Sequence, residues 1–198
     1  MRVTMFDYGA GNLHSLAKAL TLAGGEVAIE TDPARCLKTD VLVLPGVGAF
    51  GHAVARLAPA RDAMRDSLRN GLPTIGICLG MQLLFDGSDE GPGEGLGIIA
   101  GRCERLRATR VPQIGWNTLD CATDSVFDST RLSTVYYANS FVARPSDASS
   151  VIAWSTHEAD RFPAAVRAGR AIGVQFHPEK SSTSGIQFLR ALLAECAQ

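Results

Sequence analysis

The sequence predicts an α/β fold: a three-layer, open, mostly parallel sheet with helices on both faces and an added antiparallel section. Three observations carry this expectation. Strand and helix patterns alternate with short connections from residue 2 to about residue 85, as in a parallel sheet flanked by helices. From Ile98 to Arg170 helical periodicity gives way to short β-like runs. At Ala171 a buried strand of the parallel kind returns, and a last amphipathic helix follows it. Nothing marks a linker, a repeat or a second unit, so residues 1–198 are expected to form one domain.

Composition narrows the function classes. With 198 residues, 46% hydrophobic and 20% charged, the chain can bury one sizeable core. A formal net charge of -1 gives no electrostatic case for nucleic acid or an anionic membrane. No apolar run is long enough to span a bilayer, and the N-terminus enters a strand directly, without a signal peptide's apolar region. Five cysteines without a C-x-x-C pair argue against a disulfide framework or a structural zinc site. A reducing cytoplasm is the expected compartment, and no metal or organic cofactor is expected.

The elements follow in order. Residues 2–6 read as a strand ending at Asp7-Tyr8-Gly9-Ala10-Gly11-Asn12. Leu13, Leu16, Ala17, Leu20 and Ala23 share one face of a helix, which Asn12 can cap and Gly24-Gly25 can stop. Strands at Val27–Glu30 and Val41–Leu44 come next, joined by a polar connection containing Pro33. The third strand runs into Pro45-Gly46-Val47-Gly48-Ala49-Phe50-Gly51. Glycines at a strand's carboxyl end suit a phosphate site, an oxyanion site or a plain turn, but neither nucleotide-binding glycine pattern is present. A helix from about Pro59 to Asn70 leads to the strand Pro73–Ile77. Residues 86–97, rich in glycine and acid, read as a surface loop. Val111–Ile114, Thr134–Asn139 and Val151–Trp154 read as antiparallel strands, Ala171–Phe176 as a buried strand, and Ser184–Cys196 as the final helix.

The chemistry centres on Gly76-Ile77-Cys78-Leu79-Gly80, a strand-to-helix turn with a thiol at its tip. This is the thiol form of a nucleophile elbow, in which flanking glycines avoid a Cβ in a crowded turn. A helix opening at Leu79 would favour the thiolate through its dipole. In an open α/β sheet, ligands bind beyond the carboxyl ends of parallel strands. Gly46–Gly48, Cys78 and His177 with Glu179 all lie at such ends and can converge. His177 and Glu179, two apart in extended chain, would face the same side. They then complete a Cys–His–Glu triad: Cys78 the nucleophile, His177 the general base and acid, Glu179 the group that orients it. Singly, each residue also fits a packing or surface role; jointly they point to acyl transfer through a thioester.

The segments Pro45-Gly46-Val47-Gly48, Gly76-Ile77-Cys78-Leu79-Gly80-Met81-Gln82 and Gln175-Phe176-His177-Pro178-Glu179 resemble the motifs of the class I (triad) glutamine amidotransferases. Within that family, Asp7-Tyr8-Gly9-Ala10-Gly11-Asn12, Pro112-Gln113-Ile114-Gly115-Trp116-Asn117 and Glu179-Lys180-Ser181 are similar to the glutaminase subunits of imidazole glycerol phosphate synthases, of histidine biosynthesis. The resemblance implies hydrolysis of L-glutamine to glutamate and ammonia, with the ammonia channelled to a cyclase subunit, a separate barrel protein and partner in a heterodimer. It implies an oxyanion hole from the Leu79 N–H and an N–H near Val47. Gly46, Gly48, Gln82, Glu90, Ser140 and Phe141 would then hold glutamine, with Glu90 pairing its ammonium. Asn12, Trp116 and Lys180 match positions facing the cyclase. Where the family often has histidine, this chain has Gln113 and Asn139, which keep hydrogen-bonding capacity but do not titrate near neutrality. Two alternatives stay open: a glutaminase serving another synthase, such as that of pyridoxal phosphate, and a non-catalytic cysteine redox sensor.

Overall fold

The computed structural model describes residues 1–9, 11, 13–130 and 132–198. Its largest sheet is built from β1 (Arg2–Phe6), β2 (Glu26–Glu30), β3 (Val41–Leu44), β4 (Thr74–Ile77), β8 (Cys121–Ala122), β11 (Val151–His157), β12 (Asp160–Ala168) and β13 (Ala171–Val174). The strand order is β2-β1-β3-β4-β13-β12-β11-β8. The first five run parallel, and β12, β11 and β8 continue the sheet antiparallel. A three-stranded sheet joins β5 (Gly87–Ser88), β6 (Gly101–Arg105) and β10 (Phe141–Pro145). A hairpin pairs β7 (Gln113–Thr118) with β9 (Thr134–Asn139).

Alternation along the parallel strands divides the core in two. Val3, Met5, Val41 and Val43 pack with α1 (Leu13–Ala23) and α6 (Ser182–Cys196). Phe6, Leu42 and Leu44 pack with α3 (Phe50–Leu57) and α4 (Arg61–Arg69) on the opposite face. Strands covered on both faces are apolar at nearly every position, because neither side meets water. The three-layer arrangement expected from the sequence is the one observed.

Some local expectations change. The connection containing Pro33 is a short helix, α2 (Pro33–Cys36), capped by the Asp32 carboxylate accepting from the Ala34 N–H. The glycine-rich stretch after β3 is not all loop, since α3 begins at Phe50. Residues 86–97 are anchored rather than simply superficial: Leu96 is buried, and its N–H donates to the Leu83 carbonyl at 2.7 Å. Of the antiparallel strands, β6, β10 and β12 lack a clean apolar alternation, and β7 leaves out Val111 and Pro112 of the expected Val111–Ile114 and continues to Thr118. Asn12, expected both as a helix cap and as a partner contact, lies outside the described residues. Among the described residues, no helix is long and apolar enough to cross a membrane.

Candidate active site

Register brings the three expected strand ends together. In the sheet β4 lies between β3 and β13, with Leu44 and Gly173 both opposite Gly76. The chain leaving β3 at Gly46, the turn at Cys78 and the segment leaving β13 at Gln175 therefore emerge side by side. The Cys78 N–H donates to the Val174 carbonyl at 2.7 Å, tying the elbow to its neighbour strand.

The elbow is strained and tightly enclosed. Cys78 has φ 49° and ψ -104°, a left-handed conformation costly for a residue with a Cβ. A Cβ on Gly76 would lie 2.6 Å from the Gly80 carbonyl oxygen, and one on Gly80 would lie 1.9 Å from that of Leu44. Glycine on either side is thus a steric requirement. The helix after Cys78, α5 (Leu79–Gln82), has only four residues. The dipole expected to favour the thiolate is that of a single turn, so nearby side chains carry most of the electrostatics.

His177 and Glu179 do pair, but not for the expected reason. Pro178–Lys180 form a 3₁₀ turn rather than extended chain, and the turn folds the carboxylate back under the ring. His177 Nδ1 and Glu179 Oε1 are 2.8 Å apart, with side-chain exposures of 1% and 7%. Burial opposes the imidazolium, but the facing Cys78 sulfur and then Glu179 outweigh it and push the His177 pKa up to about 10. Nε2 faces the thiol region without a hydrogen bond of its own. The backbone holds the ring from behind, where the His177 N–H donates to the Tyr136 carbonyl at 2.8 Å.

A pocket of about 200 Å³ opens above the sulfur. Gly46, Val47, Gly48, Leu79, Gln82, Glu90, Ser140 and Phe141, all expected from the sequence, line it with Cys78, Ala138 and Asn139. His177 lies behind this wall. Glu90 is exposed at the rim, where its Oε2 accepts from the Phe50 N–H at 3.1 Å. The Leu79 N–H is turned to the Gly46 carbonyl at a long 3.4 Å. Gly48 has φ 142°, a conformation that glycine adopts readily.

Two residues lie in the motifs quoted above but carry no expected role. Tyr8 is buried and donates its hydroxyl to the Pro45 carbonyl, just before Gly46. Burial, with Cys78 and Asp7, raises its pKa well above that of a free phenol, so it remains a donor. Gln175 is fully buried and donates through Nε2 to Cys78 Sγ at 3.4 Å. Its signal was a lone amide inside the apolar run Ala171-Ile172-Gly173-Val174-Gln175-Phe176, because a polar group is buried only where it finds a partner.

Trp116 and Lys180 lie on one surface beside β9. Trp116 is 55% exposed and meets Tyr136 edge-on at 6.1 Å, while Lys180 Nζ lies 5.6 Å from the Tyr136 ring centre. Ile114, two residues before Trp116 on β7, is 68% exposed, so this strand presents two large apolar side chains to solvent. Gln113 and Asn139 are cross-strand partners, both buried, each with an amide oxygen that accepts no hydrogen bond.

The comparisons with known proteins agree with this geometry. The family model described as glutamine amidotransferase class-I matches residues 4–196. The chain is 40% identical to the imidazole glycerol phosphate synthase subunit HisH of Halobacterium salinarum, covering 98% of this chain and 94% of the relative. It is 41% identical to the subunit of that name from Pyrococcus furiosus, covering 96% of each. Among solved structures, a glutamine amidotransferase superposes with TM-score 0.76 at 19% identity, over 99% of both chains. The glutaminase domain of Trypanosoma brucei CTPS with bound acivicin superposes with TM-score 0.67 at 16% identity, over 100% of this chain and 94% of that one. These two likenesses bear on the fold alone. Together, the whole-chain family match and the relatives of about 40% identity place the chain among the class I glutamine amidotransferases, in the HisH family of imidazole glycerol phosphate synthase subunits.

Proposed function

We propose that the chain, as a single glutamine amidotransferase domain, hydrolyses L-glutamine and delivers the ammonia to a cyclase subunit in a heterodimeric imidazole glycerol phosphate synthase. The single observation that carries this reading is the left-handed Cys78 at the pocket floor with the buried His177–Glu179 pair behind it. Cys78 Sγ attacks the carboxamide carbon, His177 protonates the departing nitrogen, and ammonia leaves a thioester. His177 then deprotonates a water that attacks the thioester, releasing glutamate and restoring the thiol. Glu179 holds Nδ1–H and stabilises the imidazolium. Gly46, Gly48, Gln82, Ser140 and Phe141 shape the glutamine site, and Glu90 at its rim receives the α-ammonium.

The oxyanion hole is gated by one peptide unit. The carbonyl of Gly46 and the N–H of Val47 belong to the same peptide plane, and that carbonyl faces the Leu79 N–H. Rotating the plane removes this acceptor and presents the Val47 N–H as a second donor. The rotation turns about ψ of Gly46 and φ of Val47, and the missing Cβ at 46 lowers its cost. Binding of the cyclase and its nucleotide shifts the population toward the rotated state, which prevents wasted ammonia.

The cyclase docks on the face carrying Ile114, Trp116 and Lys180, a reading supported by the exposure of the first two. Action in the cytoplasm is supported by five free thiols. The test is glutamate release by the chain alone, with the cyclase, and with the cyclase plus its nucleotide ligand. A low rate alone and a large rise in the full mixture, abolished by Cys78→Ala, is the expected result. A rate indifferent to the cyclase would leave a glutaminase with another client, and no release under any condition would overturn the enzyme reading.

A further inference from the structure

We propose that Gln175 is a further catalytic residue, a neutral donor to the Cys78 sulfur that aims it into the pocket and steadies the charge it carries as it attacks and as it leaves, and that Gln82 positions it. This deepens the reading of Cys78 as nucleophile and rests on it. Gln175 follows β13, the strand next to the elbow, and none of its surface is exposed. Its Nε2 lies 3.4 Å from Sγ, and its Oε1 lies 3.2 Å from Gln82 Nε2. Gln82 Nε2 also donates to the Phe141 carbonyl at 3.0 Å.

The chain of donors fixes which way each amide faces. A backbone carbonyl can only accept, so Gln82 must turn its NH₂ toward Phe141. That NH₂ has two hydrogens, and the second goes to Gln175. Gln175 must then present its oxygen to Gln82 and its NH₂ to Sγ. Flipping either amide would set two like groups face to face in a buried site. The sulfur therefore has a donor that does not depend on the protonation of His177, available when Sγ carries charge: as it attacks the carboxamide and again as it leaves the acyl group in hydrolysis. Hydrogen bonding to the charged form of a group favours that form. The same relay joins Sγ to Phe141, a residue of the pocket wall, so occupancy of the wall and alignment of the nucleophile are mechanically connected.

The test is alkylation of Cys78 by iodoacetamide in the isolated chain, followed by mass spectrometry of the Cys78 peptide across pH, alongside glutamate release. Gln175→Met keeps length and removes the donor; Gln175→Glu sets an anion against the sulfur; Gln82→Met leaves Gln175 free to turn. The Cys78 alkylation profile is expected to move to higher pH, by about one pH unit in Gln175→Met, with a neutral-pH rate about tenfold lower. Gln175→Glu should move it further, and Gln82→Met less. Profiles that coincide with the parent's in folded Gln175→Met and Gln175→Glu would overturn the proposal. If Gln175→Met does not fold, an unmoved profile in Gln82→Met overturns it equally. Because alkylation needs no glutamine, shifted variant profiles together with a parent chain that releases no glutamate even with the cyclase and its nucleotide would sink the glutaminase reading while leaving the Gln175 contact standing.

Discussion

At the residue scale, Glu179 and Tyr8 separate catalysis from its control. Glu179→Gln retains a group at Nδ1 but removes the charge that stabilises the imidazolium. Glutamate release should fall by at least about 10²-fold while the thermal midpoint changes little, as steady-state kinetics and calorimetry would show. Tyr8→Phe frees the Pro45 carbonyl next to the peptide proposed to rotate. Its expected signature is the opposite: a stability loss of about 1 kcal/mol together with a higher basal rate in the absence of the cyclase. A lower basal rate would show that Tyr8 supports the active state instead. That Cys78, His177 and Glu179 would lie together was legible because each sits in a short motif at a strand end. The roles of Tyr8 and Gln175 were not, since they depend on a backbone carbonyl 37 positions and a thiol 97 positions away in sequence.

At the element scale, the elbow and the last helix are held by different forces. The elbow depends on backbone against backbone. Gly80→Ala would drive a methyl into the Leu44 carbonyl, and we expect a loss of about 2–4 kcal/mol in urea unfolding with glutaminase activity abolished. Helix α6 is tied down electrostatically as well as by its apolar face. Arg167 on β12 bonds the Asp124 carboxylate at 2.6 and 2.8 Å and the Glu195 carboxylate at 2.5 and 3.2 Å. Partial burial pushes the Asp124 carboxyl up, but its bonds from Arg167 and the Val126 N–H outweigh that and hold it below the usual carboxylate range. A depressed carboxylate contributes stability above its unfolded pKa and loses it as pH falls through the folded one. The stability gap between the parent and Asp124→Asn should therefore be full at pH 7 and close only below about pH 4, measurable as urea midpoints along a pH series. The strands of this region were partly illegible from sequence, since β12 begins Asp160-Arg161 and owes its burial to neighbours rather than to its own alternation.

At the scale of the whole molecule, the parallel strands supply chemistry and the hairpin β7–β9 supplies a surface. The parallel half was readable because strands covered on both faces are written as apolar runs. The hairpin was readable only in part: Trp116 admits a core position as easily as an exposed one, and register alone turns it outward. Replacing this ring should leave the isolated chain's thermal midpoint unchanged, because over half of it is in water. Trp116→Ala should weaken association with the cyclase about 10- to 100-fold, read by titration calorimetry. A matching loss of stability would make the ring a structural residue and move the docking face elsewhere.

Tyr136 stands in both halves. Its ring lies between Trp116 and Lys180 on the outer surface, and its carbonyl takes the N–H of His177 on the inner one. That single amide proton thus belongs to His177, the proposed general base, but is sheltered by the hairpin. Its rate of exchange with deuterated solvent measures how often the hairpin lifts from the active site. A partner clamped on Trp116 should slow that exchange without touching the triad, so one proton keeps time for the docking face and the chemistry together.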